Sequence, residues 1–445
     1  MFDTLISNGR VAYEEGVREC SIAILDGRIA AIVEHGGATP LAREIVDATG
    51  HLVLPGLVDS HVHFREPGLT HKEDFATGTL AAAAGGVTTV MVMPTDNPPT
   101  LTPDDFLAKR ALATGRVHVD FALQAGLGRD RENVASLAEL GVVSFEIFMS
   151  DLPADLLTSN AAELVLTLRA VREVGSIAGI TPGDDSVYRL AGETARREHG
   201  NAPRAFLRSR PPEAEAFGVA QACVAAASTG ARVHLRQIST ALSLSVLQGL
   251  RGDNVTAEVT PHNLMFDEDD FLRLGPVAKV APPLRAQRDR DAMRRALATG
   301  LLDVVATDHA PHHPDEKATG EDDIWKAPGG LPGVQTFLPL MLRLVEQGVL
   351  DYPGLVRTCC GNPARLFGLY PRKGALKIGS DADLVIIAPN RPMTIRNVDQ
   401  VSKARKTPFA GLEIGSSPVC TYLRGTCVMR NGQAIGIATG RFVRP

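Results

Sequence analysis

Eight short runs rich in β-branched residues recur along the middle of this chain, each followed by a stretch of helical pattern, and that alternation leaves few folds open. The runs are LVDSHVH, VTTVMVM, VHVDFAL, VVSFEIF, GSIAGIT, ARVHLRQ, NVTAEVT and LDVVATD, with helical stretches such as HKEDFATGTLAAAAGG and RDRDAMRRALATG between them. A strand, a helix and a second parallel strand make a crossover unit, and eight such units close into a barrel. The ends read differently. SIAILDGRIAAIV is two apolar runs joined by Asp-Gly, and TYLRGTCVMRNGQAIG carries Asn-Gly, both hairpin signals. The expected architecture is α/β: a TIM-type (β/α)8 barrel over residues 54–373, with residues 1–53 and 374–445 meeting in a small composite β-sandwich domain.

Composition excludes some functions. The formal net charge is −5 and no long Lys/Arg run exists to neutralise phosphates, which argues against nucleic acid or an anionic membrane as partner. Six cysteines lie scattered with no C-x-x-C pair, the pattern of free thiols in a reducing compartment. The opening MFDTLISNGR lacks a basic, then apolar, leader pattern, and no apolar stretch reaches the roughly 18 residues of a membrane span. The expected location is the cytoplasm.

In a barrel of this kind chemistry gathers where the strands end. The first run ends at His61 and His63, and the two-residue period of a strand turns both rings inward. Asp59 falls on the same face, as an acceptor that would orient a ligating imidazole. The eighth run ends at Asp308 in ATDHAPHH. Two imidazoles and a carboxylate form an N/O donor set that suits zinc and leaves a position for water. The alternative for the histidines is a packed pair inside the core.

These residues also carry a resemblance. DSHVHFREPGLTHKEDFATGTLAAAAGGVTTVMVMP, TPHNL, APPLR and ATDHAPHH resemble the amidohydrolase superfamily, in its cyclic amidohydrolase branch of dihydroorotases, allantoinases and hydantoinases. The likeness runs from about Asp3 to Met429. It implies a barrel with an appended β-sandwich, a metal centre at the strand ends and hydrolytic opening of a cyclic amide. In that family a second metal is held by a carboxylated lysine on the fourth strand and by histidines on the fifth and sixth. Here those positions carry Glu146, Thr181 and Gln237. His234 lies three residues before Gln237, and alternation puts it on the opposite face, packed rather than ligating.

Thr181 and Gln237 offer neither an imidazole nor an anion. The expectation is one divalent metal, zinc by donor type, held by His61, His63 and Asp308, with Glu146 as a fourth candidate ligand. Asp308 is the expected proton-transferring group. Arg65 matches the arginine that grips a substrate carboxylate in dihydroorotases, with a salt bridge at the barrel mouth as its alternative. His312 matches a second substrate position, and Thr95, Thr181 and Gln237 complete the substrate-facing set. Thr95 and Ala281 replace asparagines of dihydroorotases, while APPLR and GGLPGVQT lean towards allantoinases. The segment His313 to Gly330 reads either as a lid or as a solvated loop anchored by Trp325.

The function that follows is dihydroorotase-like hydrolysis of a cyclic amide, imide or ureide, with allantoinase- or hydantoinase-type ring opening as an alternative. The resemblance also implies assembly as a dimer or tetramer. A further alternative is a non-catalytic scaffold for aspartate transcarbamoylase, since three metal-centre positions have changed.

Overall fold

The structure, a computed structural model, describes residues 1–127, 131–150, 152, 156–158 and 160–445. The N-terminal segment supplies β1 (Phe2–Tyr13), β2 (Gly16–Leu25), β3 (Arg28–Glu34), β4 (Ala42–Asp47) and β5 (Leu52–Pro55). After Gly56 come β6 (Leu57–Val62), β7 (Val87–Val92), β8 (Asp120–Leu123), β9 (Ala125–Gly126), β10 (Phe145–Phe148), β11 (Ile177–Thr181), β12 (Arg232–Leu235), β13 (Val255–Val259) and β14 (Val304–Val305). The C-terminal segment adds β15 (Leu384–Ala388), β16 (Met393–Thr394), β17 (Glu413–Ile414), β18 (Ser417–Leu423), β19 (Thr426–Arg430) and β20 (Gln433–Ala434).

Each of the eight runs contributes a strand to a parallel barrel. One arc is β6-β7-β8 and the other runs from β9 to β14. The arcs are joined by the Val143 N–H to the Leu123 carbonyl (3.1 Å) and by the His63 N–H to the His309 carbonyl (2.7 Å). The second of these closing bonds lies at the metal-type histidines, so closure of the barrel and placement of the site are one event. The barrel strands are buried on both faces, as expected of a parallel sheet covered by helices. Helix starts are capped by the chain's own side chains, including Asp74 before Phe75–Ala84 and Thr240 before Ala241–Leu250.

The two chain ends build one nine-stranded sheet, in which β5 lies between β1 and β15. It folds around its own core of Ile6, Ile22, Ile24, Val53, Leu384 and Tyr422. Asp26-Gly27 and Asn431-Gly432 turn with φ of 51° and 74°, and 49° and 78°, the left-handed pair that suits a tight hairpin. The last residues leave this sheet. Gly440, Arg441 and Val443 hydrogen-bond with Val117 and Phe121 at the barrel floor.

A buried ionic cluster ties the sheet to that floor. The Lys373 ammonium contacts Asp120 at the start of β8, Asp383 at 2.7 Å and Asp381 at 2.9 Å, and Arg424 also reaches Asp120. Burial pulls Lys373 down, but the three aspartates more than reverse it and hold the ammonium charged. These aspartates have metal-like spacing, yet the lysine already supplies their cation. Removing one partner of a buried ion cluster leaves uncompensated charge. Lys373→Met is therefore expected to cost about 3–5 kcal/mol of stability, seen as an earlier midpoint in urea unfolding. An unchanged midpoint would mean that Arg424 alone holds the joint.

Candidate active site

His61 lies near the end of β6, His63 just beyond it, and Asp308 three residues past β14. Their ligating atoms converge within 4.8 Å of one another. His63 Nε2 is 3.2 Å and His61 Nε2 is 3.4 Å from the same oxygen of Asp308, Oδ1. Two donors on a tetrahedral ion with bonds of roughly 2.0–2.1 Å sit roughly 3.3–3.4 Å apart. The separations therefore already suit a zinc-sized ion.

Each imidazole is also turned the right way. His61 Nδ1 is 2.6 Å from Glu258 Oε1, and His63 Nδ1 is 2.8 Å from Thr95 Oγ1. Those contacts occupy the Nδ1 edges and leave both Nε2 atoms facing Asp308. Burial pulls His63 down to about 4 against the pull of Asp308, so its ring is neutral, the form that binds metal. Burial pushes Asp308 up, but His61 and the hydrogen bond from His63 outweigh it and keep the carboxyl below its ordinary range. Gln237 Nε2 donates to the other Asp308 oxygen at 2.5 Å. The expected role of Asp59 is filled by Glu258 and Thr95. Asp59 instead accepts from the Thr307 and His61 backbones and from the Thr307 hydroxyl, tying β6 to the residues after β14.

Glu146 stands outside this group. Its carboxylate accepts from Ser144 Oγ at 2.7 Å and from two nitrogens of Arg236 at 2.7 and 3.1 Å. Arg236 also reaches Glu258 at 3.0 Å, and Glu258 in turn accepts from His234 Nε2 at 3.0 Å. His234 thus belongs to the interior network rather than to an opposite face. The alternation fails because Gln237 has φ of 54°, which ends the strand geometry one residue after Arg236. Arg236 and Glu258 are the functional residues that sequence reasoning missed. The signal available was charge at the ends of otherwise apolar runs, in VHLRQ and TAEVT.

The triad opens on a cavity of about 290 Å³, lined on its polar side by Arg65, Thr95, Thr181, Gln237 and Asp308. Phe148, Leu152, Pro182 and Tyr188 form its apolar wall. Three of the eight non-glycine residues with positive φ among the described residues are here: Arg65 at 59°, Gln237 at 54° and Asp308 at 47°. His312 has Lys72 Nζ at 3.3 Å from Nδ1 and the Gly329 carbonyl at 3.0 Å from Nε2. An ammonium only donates and a carbonyl only accepts, so Nε2 carries the proton. The Arg65 Nη2 atom, 3.2 Å from that same nitrogen, therefore faces a donor, while Arg65 Nε donates to the Pro311 carbonyl at 3.4 Å. Arg65 forms no ion pair with a carboxylate among the described residues.

The segment from His313 to Gly330 is tied to its surroundings at Lys317 and Trp325. The Lys317 ammonium donates to the carbonyls of Lys279 (2.8 Å) and Pro328 (3.0 Å), and Trp325 Nε1 donates to Gly200 (3.0 Å) under the Arg196 guanidinium. Gly329 and Gly330 then line the cavity directly.

A barrel with two imidazoles and a carboxylate converging at its strand ends defines a metal-dependent hydrolase. The comparisons are specific. A dihydro-orotase-like family profile matches residues 50–243 and an amidohydrolase family profile matches residues 232–428. A dihydroorotase of Halobacterium salinarum is 38% identical, covering 99% of this chain and 99% of its own. An allantoinase of Bacillus velezensis is 34% identical, over 100% of this chain and 98% of its own. The solved L-hydantoinase (dihydropyrimidinase) of Arthrobacter aurescens superposes with a TM-score of 0.97 at 32% identity, covering 100% of both chains. The chain belongs to the cyclic amidohydrolase branch of the amidohydrolase superfamily. It is a cyclic amidohydrolase acting on small cyclic amides. No helix among the described residues is long and apolar enough to cross a membrane.

Outer partners of ligating histidines typically change metal affinity by roughly 10–100-fold when removed. Thr95→Val keeps the volume and deletes the hydroxyl at His63. It should weaken zinc binding by about tenfold in a chelator competition, with the thermal unfolding of the metal-free chain unchanged. Equal zinc affinity would show that packing alone orients His63.

Proposed function

We propose that this cyclic amidohydrolase works with a single divalent ion, zinc by its donor set, and opens a ring that carries a carboxylate, as the dihydroorotase relatives' name implies. The observation that supports this reading is the Arg65 guanidinium, which lines the cavity without a carboxylate partner among the described residues. A planar fork of N–H donors in that state matches a carboxylate of the substrate.

The ion, held by His61, His63 and Asp308, would lower the pKa of water towards 7 and polarise the ring carbonyl. The chain's own residues do the remainder. Arg65 binds the substrate carboxylate, and neutral His312 fixes the Gly329 edge of the cavity beside it. Gln237 holds the Asp308 carboxylate in one orientation. Asp308 takes the proton of the attacking water as its oxygen bonds to the carbonyl carbon. The same proton passes to the ring nitrogen as the C–N bond breaks. Orientation within a cavity this small contributes much of the rate. Thr181 and Thr95 face the substrate from the polar side.

A second reading, a hydantoin-type ring with an apolar substituent, is favoured by the wall of Phe148, Leu152 and Tyr188. The scaffold alternative has no observation in its favour, since all three ligands and both imidazole partners stand in place. We also propose a homo-oligomer. Leu190 on the helix Asp185–His199 and Phe217 and Val224 on the helix Pro212–Thr229 are 67%, 53% and 59% exposed. Sedimentation of the full chain at micromolar concentration should show a dimer or tetramer, and a monomer would contradict this.

Two measurements test the main reading. Elemental analysis of freshly purified protein should give close to one zinc per chain, while close to two or none would overturn it. Arg65→Gln should lower kcat/KM for a carboxylated ring by about 30-fold or more and leave an uncharged hydantoin nearly unaffected. Equal losses on both substrates would favour the hydantoin reading.

A further inference from the structure

The interior beneath the metal ligands contains one group that the chemistry above does not use. Arg236 is fully buried, and all five of its N–H donors are satisfied. Nε and Nη2 bind Glu146, Nη1 binds Glu258 (3.0 Å) and the Ser60 carbonyl (3.1 Å), and Nη2 also binds Gln124 Oε1 (2.5 Å). The recess for the Glu146 carboxylate exists because residue 179 is glycine: a Cβ there would collide with both carboxylate oxygens. A site that accommodates an acid this closely, and pairs it bidentately, is built around the charge.

We propose that Arg236 is a fixed internal cation that sets the metal count, restricting the centre to one divalent ion by neutralising Glu146. The inference rests on the single-ion reading above and deepens it. The pairing of the buried charges supports this. Arg236 takes both oxygens of Glu146 and one of Glu258, so the carboxylate at the fourth-strand position already has its counter-charge. A second ion beside Arg236 would face a fixed positive charge and a carboxylate already paired with it. Arg236 also acts at a distance on the first ion. It holds Glu258, and Glu258 holds the Nδ1 edge of His61. It is a positioning residue, since it touches no reacting atom.

Charge balance makes a prediction that packing does not. Glu146→Gln keeps the shape and can still accept from Arg236 and Ser144, but it leaves one positive charge in excess. Zinc titrated against a chromophoric chelator should then bind about tenfold or more weakly than to the wild-type chain. Adding Arg236→Met to that variant removes the excess, and affinity should recover by about threefold over Glu146→Gln, the rest of the loss being the released Glu258. The overturning result is Glu146→Gln binding zinc as tightly as wild type, or the double variant binding no better than Glu146→Gln. A wild-type chain that retains two ions would instead refute the single-ion reading itself, before either variant is made.

Discussion

A guanidinium enclosed where water does not reach organises the open end of this barrel. Burying an ion costs several kcal/mol unless its partners are placed to offset it. Arg236 meets that condition with two carboxylates, an amide oxygen and a backbone carbonyl. These partners come from β6, β10, β13 and the residue after β8, so the network draws four parts of the barrel to one point. Burial pushes Glu258 up, but Arg236 and His61 more than reverse it and hold it well below the usual carboxylate range. A charged Glu258 keeps the proton of His61 on Nδ1, which leaves Nε2 as the ligating atom. The orientation of His61, first of the candidate metal-holding residues, therefore depends on an arginine outside the His61–His63–Asp308 cluster.

Much of this was legible in the sequence, and what was missed has physical reasons. The eight runs read correctly as strands because fully buried parallel strands are continuous apolar segments bounded by turns. The pairing of His61 with His63 was readable because strand periodicity is local. Asp308 was readable as the acid that closes the last run. Arg236 was not, because its partners lie 22, 90 and 112 positions away. Glu146 is the counterpart: alignment with a metal-bridging position spoke for ligation, but a charge contributed by another strand had already claimed the carboxylate. His234 shows a narrower failure. Counting alternate residues assumes that the strand continues, and at Gln237 it does not.

That departure is part of a pattern. Arg65, Gln237 and Asp308 all leave extended geometry for the left-handed region at the rim of the barrel. Such backbone costs of order 1–3 kcal/mol per residue and persists only where surrounding bonds over-determine it. Here the bonds are identifiable. Gln237 and Asp308 are joined side chain to side chain, and Arg65 reaches the Pro311 carbonyl at 3.4 Å. The shortness of β14, two residues where the sequence suggested seven, has the same origin. Beyond Ala306, whose N–H still donates to Val259, the Thr307 N–H turns to Asp59, and the next strand contact is the His309 carbonyl with the His63 N–H.

The fold alone does not select the ring, since proteins named for three different rings share this scaffold. Three cations crowd this corner, Arg65, Lys72 and Lys317. Lys72 is paired with Glu316 at 2.9 Å, and Lys317 is turned onto two backbone carbonyls. Burial, with the three cations around it, drives His312 down to about 2, so it adds no charge of its own. A charged imidazole there would repel Arg65 and compete for any anion it holds. With His312 neutral and both lysines engaged, only Arg65 of the three presents unclaimed donors to the cavity. A ring with an anionic substituent finds its complement on that side, while an apolar substituent finds it on the wall of Phe148, Leu152 and Tyr188. One cavity thus offers both grips, and the balance between them rests on the Arg65 guanidinium, which has no carboxylate partner among the described residues.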